Sequence, residues 1–375
     1  MDELFDIRNQ VYTEQPLTFN VLLPQTVNGK AVESGAILRD NGDVFFRIYA
    51  PATEKAVVEI DDAVLPLEKT ADGFHEGLWE FSPANCGYKN LHFLFDGQEF
   101  LVPYVQVTWT QNRPMNYIDI PDPATPYVQL RDVPHGSVSR ELFYAEPIGK
   151  WQRCMVYTPA GYQKGSEEYP VLYLQHGMTE NEMCWVYNGR VSYILDNLIA
   201  EGKCRPFIVV MCDGMVKYSY DMNKYDNAFE RVLLESCIPF IERTYRVKAD
   251  KWNRALAGLS MGASQTSHIG LAHPDVFAYL GIFSGGLCVN RQGVWNPHIE
   301  KLRNLDWARE NFRLIYHSIG SEDVNARFSF ENDDAFCAET GLDKLELFRR
   351  VTHEGQKHTW NEWRRAIYDF AQLIF

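Results

Sequence analysis

Gly258-Leu259-Ser260-Met261-Gly262 sets one hydroxyl between two glycines, directly after the apolar run Ala255-Leu256-Ala257. Gly-x-Ser-x-Gly between a strand and a helix has a mechanical reason. The sharp turn strains the serine backbone, and only glycines leave space for the adjoining strand and helix. Here Arg254–Leu259 reads as the strand, and the small-residue stretch from Met261 to His273, closed by Pro274, reads as the helix. The bare pattern is common, and an ordinary turn serine is the alternative; the flanking elements make Ser260 the candidate nucleophile.

A serine hydroxyl needs a base to become nucleophilic, and the base needs a third group to orient it. After a serine on such a turn, the acid and then the histidine follow in chain order. Of the histidines beyond Ser260, His268 and His273 fall on the helix that follows it and His317 falls inside a strand, so packing or surface roles are expected. Nothing around His298 or His353 suggests catalysis. His358 lies in the loop just before Thr359-Trp360-Asn361-Glu362, which reads as a capping box opening the last helix. From there an imidazole can reach a serine at the top of a sheet. The acid is expected in Gly320-Ser321-Glu322-Asp323, after the apolar run Arg313–Ile319; Asp323 is preferred, Glu322 is its rival, and a solvated acidic turn is the other reading.

Acyl transfer also requires two preorganised backbone N–H donors for the developing oxyanion, one of them on the residue after the nucleophile. That residue is Met261. The second donor is expected from Met178, less favourably Thr179, where the run ending in Gln175 enters His176-Gly177. His176 precedes the serine and is read as a structural loop histidine. This chemistry calls for no cofactor and no metal.

Two kinds of element surround these residues. From about 35 to 110, short alternating runs such as Val44–Tyr49 and Leu91–Asp96 are punctuated by Asn41-Gly42, Asp72-Gly73 and Asp96-Gly97, the pattern of a small antiparallel β-sandwich. Residues 1–34 are an extension ahead of it, and the proline-rich stretch 111–137 reads as a linker. From 138 to 375, fully apolar runs alternate with segments long enough for helices, which predicts an α/β unit with a doubly wound, mostly parallel sheet. A chain of 375 residues suits two domains at about 150 residues each.

The net charge of −14 repels phosphate backbones and anionic lipid, so neither nucleic acid nor a membrane is an expected partner. No run of 18 apolar residues occurs. The eight cysteines show no metal-type spacing and read as buried thiols of a reducing compartment. Residues 1–30 show no secretory signal, so a cytoplasmic location is expected unless a leader was removed.

With these pieces placed, residues 138–375 resemble the esterase-D-like α/β-hydrolases of carbohydrate esterase family 1, which include feruloyl esterases and the related enterochelin esterases. The blocks that carry the resemblance are YPVLYLQHG, NLIAEGKCRPFIVVMCDG, IPFIERTYRVKADKWNRALAGLSMG, HPDVFAYLGIFSGG, IGSED and HTWNEWRRAIYDF. The resemblance implies Ser260 as nucleophile, Asp323 as acid, His358 as base, and Met178 and Met261 as oxyanion donors. Residues 35–110 are similar to the Ig-like early-set modules that precede such esterases. Three departures stand out. Ala263 replaces a frequent glycine, Gly355-Gln356-Lys357 replaces the usual double glycine before the base, and Leu287-Cys288 stands where feruloyl esterases place an aromatic.

The resemblance implies hydrolysis of hydroxycinnamoyl esters, such as feruloyl groups on plant-wall sugars or soluble oligosaccharides. Acetyl or short-acyl sugar esters and catecholate siderophores are alternatives. A carbohydrate-binding protein without catalysis is the alternative of another class. Trp185, Tyr187, Tyr218, Tyr220, Leu287 and Trp360 are the candidate substrate contacts, with core packing as the competing role for each. The amino-terminal module is expected to serve packing or homodimerisation, with glycan binding or roofing of the site as its other readings.

Overall fold

The computed structural model describes residues 25–27, 30–216 and 228–375. The chain divides into two units, the first ending at Leu130 and the second running from Arg131 to Phe375.

In the first unit, period-two alternation turns Val44, Phe46 and Ile48 inward along Val44–Tyr49, and Ala56, Val58 and Ile60 inward along Ala56–Ile60. Nine antiparallel strands form one hydrogen-bonded sheet. Its strand Ala63–Lys69 pairs with Ala56–Ile60 and, through Glu68 and Lys69, with Phe74–Trp79. The sheet thereby folds over a single apolar core, in which Phe46 meets Phe93 edge-on at 6.1 Å. A hairpin of Gln25–Val27 and Lys30–Val32 lies within the expected extension.

The expected linker at 111–137 is corrected by the structure. Arg113–Ile120 is a strand of this sheet, paired with Val107–Thr110 on one side and with residues Gly87 to Leu91 on the other, and Met115 to Ile120 are buried. Pro114 reads as a breaker, yet it occupies the second position of the strand. Gln111 and Asn112 form the two-residue turn before it, with φ of 51° and 60°. Positive φ at both central residues is the type I′ hairpin geometry, usually marked by Asn-Gly, and Gln-Asn carries little of that signal. A second-unit strand, Ser137–Ala145, already begins where the linker was expected to end.

In the second unit eight strands lie in the order Ser137–Ala145, Lys150–Thr158, Ile208–Cys212, Val171–Gln175, Arg254–Leu259, Tyr279–Phe283, Leu314–Gly320 and Phe348–His353. Lys150–Thr158 pairs antiparallel with both Ser137–Ala145 and Ile208–Cys212, and the last six strands run parallel to one another. Every residue of Val171–Gln175, Ile208–Cys212 and Arg254–Leu259 is buried, as a sheet covered by helices on both faces demands. Val171–Gln175 and Arg254–Leu259 are neighbours, but the chain leaves the first toward Ile208–Cys212 and the second toward Tyr279–Phe283. Open α/β sheets bind ligands at such a switch point, beyond the carboxyl ends of the strands. No helix among the described residues is long and apolar enough to cross a membrane.

Candidate active site

The strand Arg254–Leu259 and the helix Met261–Ala272 meet at Ser260, whose backbone sits at φ 52°, ψ −110°. A non-glycine residue held there is strained and persists only where its surroundings fix it. The Ser260 N–H donates to the Phe283 carbonyl at 2.9 Å, which ties the turn to the next strand. A Cβ on Gly258 would fall 2.6 Å from backbone atoms of Gly262, and one on Gly262 would fall 2.6 Å from the His176 carbonyl oxygen. Strand, helix and the loop after Gln175 therefore approach at distances that only glycine permits.

Ser260 Oγ lies 3.0 Å from His358 Nε2, and His358 Nδ1 lies 2.8 Å from Asp323 Oδ2. Asp323 is fully buried, and its Oδ1 accepts the N–H groups of Asn325 and Ala326 at 3.0 Å each. Burial alone would raise its carboxyl. The hydrogen bond and charge of His358, with the Ala326 amide, outweigh burial and hold it below the ordinary carboxylate value. Glu322, the rival acid, is exposed. The loops carrying Asp323 and His358 are stitched together, since Glu322 N–H donates to the Gln356 carbonyl and Gly355 N–H to Ser321 Oγ. Gly355 and Gln356 thus tie the loop that carries His358 to the loop that carries Asp323.

The last helix, Trp360–Ala371, opens without the expected capping box. Thr359 makes no side-chain cap, and Glu362 is turned into the interior, 2.7 Å from His353 Nδ1. Burial of a charge-bearing imidazole beside Glu362 competes with the local cap and wins.

Met178 and Met261 both line the cavity beside Ser260 and His358. Met261 is the first residue of its helix, where N–H groups lack intrahelical acceptors. The Gly177 N–H donates to the buried Glu180 carboxylate at 2.9 Å, and Thr179 adopts a positive φ of 68°. His176 donates through Nδ1 to the Gly177 carbonyl and accepts the Gly214 N–H at Nε2. It holds two loops together at the switch point.

The cavity of about 410 Å³ is walled by Met215, Phe229, Gln265, Leu287, Val289 and Trp295, among others. Of the residues expected to touch substrate, Leu287 lines it. Trp185 and Trp360 do not: they are 1% and 3% exposed and form a perpendicular stack with Trp363 behind His358. Trp185 also donates its indole N–H to the Gln175 carbonyl at 2.8 Å. Tyr187 is half-buried and outside the cavity wall, and Tyr218 and Tyr220 lie outside the described residues. The aromatic that sequence reasoning missed is Trp295, 54% exposed and bridged to Val289 in a tight hairpin. Its lone position in a polar stretch gave no periodic signal. Among the described residues no group of three or more His, Cys, Asp or Glu is placed to hold a metal ion.

A serine at a strand-to-helix turn, followed along the chain by its neighbouring acid and histidine on a mostly parallel sheet, defines the α/β-hydrolase class. Within that class, the Esterase family model matches residues 146–372, and the chain belongs to that family of ester hydrolases. A curated relative, the endo-1,4-beta-xylanase/feruloyl esterase of Xylanibacter ruminicola, is 34% identical over 350 residues. That alignment covers 90% of this chain but 46% of the relative, so the chain spans about half of the relative's length. Among solved structures, the enterobactin esterase FES from Shigella flexneri is similar over 88% of this chain and 92% of its own, at 16% identity and a TM-score of 0.65. A CE1 ferulic acid esterase from Anaeromyces mucronatus is similar over 66% of this chain and 94% of its own, at 19% identity and a TM-score of 0.55. These two likenesses bear on the fold.

Proposed function

We propose that this chain is a serine esterase that cleaves hydroxycinnamoyl esters, such as feruloyl groups on plant-wall sugars or soluble oligosaccharides. The observation that carries the reading is the hydrogen-bonded series Ser260, His358, Asp323 at one wall of a largely apolar cavity. The name of the Xylanibacter ruminicola relative supports the acyl group.

In this reading His358 Nε2 takes the hydroxyl proton as Ser260 Oγ attacks the ester carbonyl. Asp323 holds the imidazole in the tautomer that leaves Nε2 as acceptor and stabilises the imidazolium that forms. The N–H groups of Met178 and Met261 receive the oxyanion. Collapse of the tetrahedral intermediate breaks the bond to the alcohol oxygen, which takes the proton from His358 and departs. Water, deprotonated by the same imidazole, then releases the acid and restores the hydroxyl.

Ser260→Ala is expected to lower kcat for methyl ferulate by roughly 10⁴ to 10⁶ and to abolish labelling by a serine-directed phosphonate. Retention of most activity would remove the mechanism. Acetyl or other short-acyl esters and catecholate esters would use the same groups, and a hydrolysis screen across the three acyl classes separates these readings from the first.

A further inference from the structure

The helix after the nucleophile presents a stripe to the cavity. Between Met261 and Gly270 the half-buried positions are Met261, Ser264, Gln265 and His268, spaced i, i+3, i+4 and i+7, while the other residues are buried. All four line the cavity. Because the helix starts at the nucleophile, this stripe measures distance from the scissile carbonyl. At about 1.5 Å of rise per residue, His268 stands roughly 12 Å along the axis from Ser260. Standard bond lengths put the para oxygen of an extended trans-hydroxycinnamoyl group on the order of 8 Å from its carbonyl carbon, and a hydrogen bond adds about 3 Å. The two lengths are of similar size.

We propose that His268 is a specificity-determining residue at the distal end of the cavity, where its imidazole hydrogen-bonds the para-hydroxyl of the bound acyl group. The assignment rests on the hydroxycinnamoyl reading and names the feature of the acyl group that the cavity recognises.

The surroundings suit the role. His298 packs edge-on against the His268 ring at 5.0 Å, Glu230 Oε2 stands 4.0 Å from its Nε2, and His273 occupies the other Glu230 oxygen at 2.7 Å. Burial, then the neighbouring His298, pushes the His268 pKa down to about 4. A neutral imidazole can accept a hydrogen bond from a phenol or donate one to it. A site built to bind a hydroxyl discriminates against the analogue that lacks it, because its own polar group then loses a partner.

Methyl p-coumarate and methyl cinnamate differ only in the para-hydroxyl, and the test is their kcat/KM ratio in the full chain. Wild type is expected to favour p-coumarate by roughly 10- to 100-fold. His268→Leu is expected to bring the ratio close to one by losing p-coumarate turnover while cinnamate turnover persists. His268→Gln, polar and of similar reach, is expected at an intermediate ratio and serves if leucine is not tolerated. A wild-type ratio in whichever variant retains cinnamate turnover overturns the assignment, as does a wild-type enzyme that turns over both esters equally; either result leaves the esterase reading standing. Failure of the wild type on both esters overturns the hydroxycinnamoyl reading itself.

Discussion

Two imidazole–carboxylate pairs flank one loop, and only one of them meets a serine. His358 has Asp323 on Nδ1 and the Ser260 hydroxyl on Nε2. His353, at the end of the preceding strand, has carboxylates on both nitrogens, Glu362 at 2.7 Å and Asp369 at 3.0 Å. Burial alone would lower the His353 pKa, but the hydrogen bonds of Asp369 and Glu362 outweigh it and raise the value to about 9. His353 is therefore a protonated clasp between the sheet and the last helix, with no lone pair for a substrate proton. The same side chain becomes a base or a brace according to what its second nitrogen faces. A neutral hydroxyl can donate to a lone pair on that nitrogen, and a second carboxylate fixes a proton there.

The strongest way to break this contrast is to truncate both imidazoles. His358→Gln is expected to lower kcat by roughly 10⁴ to 10⁶ and to leave the thermal unfolding midpoint nearly unchanged. His353→Gln is expected to do the reverse. It keeps kcat within about threefold at temperatures well below unfolding, and it lowers stability by about 3–5 kcal/mol, as the loss of one partner from a buried ion pair does. Steady-state kinetics and denaturant titration on both variants decide the matter. Equal losses of activity would erase the distinction.

The pH dependence sharpens it. The folded-state pKa of His353 lies above the ordinary 6.5, so its contribution to stability is fully present below about pH 6.5 and is lost as pH rises through about 9. The difference in unfolding midpoint between wild type and His353→Gln is therefore expected to be largest near pH 6 and to shrink toward pH 9.5. A difference that grows with pH would contradict the clasp.

A weaker effect concerns two tryptophans. Trp360 is buried behind His358 and Trp295 is exposed at the cavity. Trp295→Ala is expected to raise KM for methyl ferulate about 3- to 10-fold, the scale of one aromatic contact, with kcat within about twofold. A fall in kcat without a change in KM would place Trp295 outside the acyl site.

The elbow was legible because its requirements are local: a strand, two glycines and a helix start within nine residues, Arg254 to Gly262. The parallel sheet was legible for a similar reason, since strands buried on both faces must be apolar throughout. The strand Arg113–Ile120 was not, because Pro114 and an unmarked Gln-Asn turn hide a strand whose partners lie as far back as Gly87. The aromatic contacts failed in a telling way. Proximity along the chain placed Trp185 and Trp360 near the loops of the candidate site, and the packing turned both inward behind His358.

By itself the sequence determined the class of the second unit and the chain order of the serine, the carboxylate and the histidine that meet in the site, since strand burial and the strained turn restrict residue types within a few positions. Only the tertiary structure decided that Asp323 rather than Glu322 meets His358, that His353 is neutralised as a base by two carboxylates, and that Trp295 and His268 face the cavity. Those outcomes depend on which side chains converge from distant segments, and burial and charge are settled only after the chain has folded.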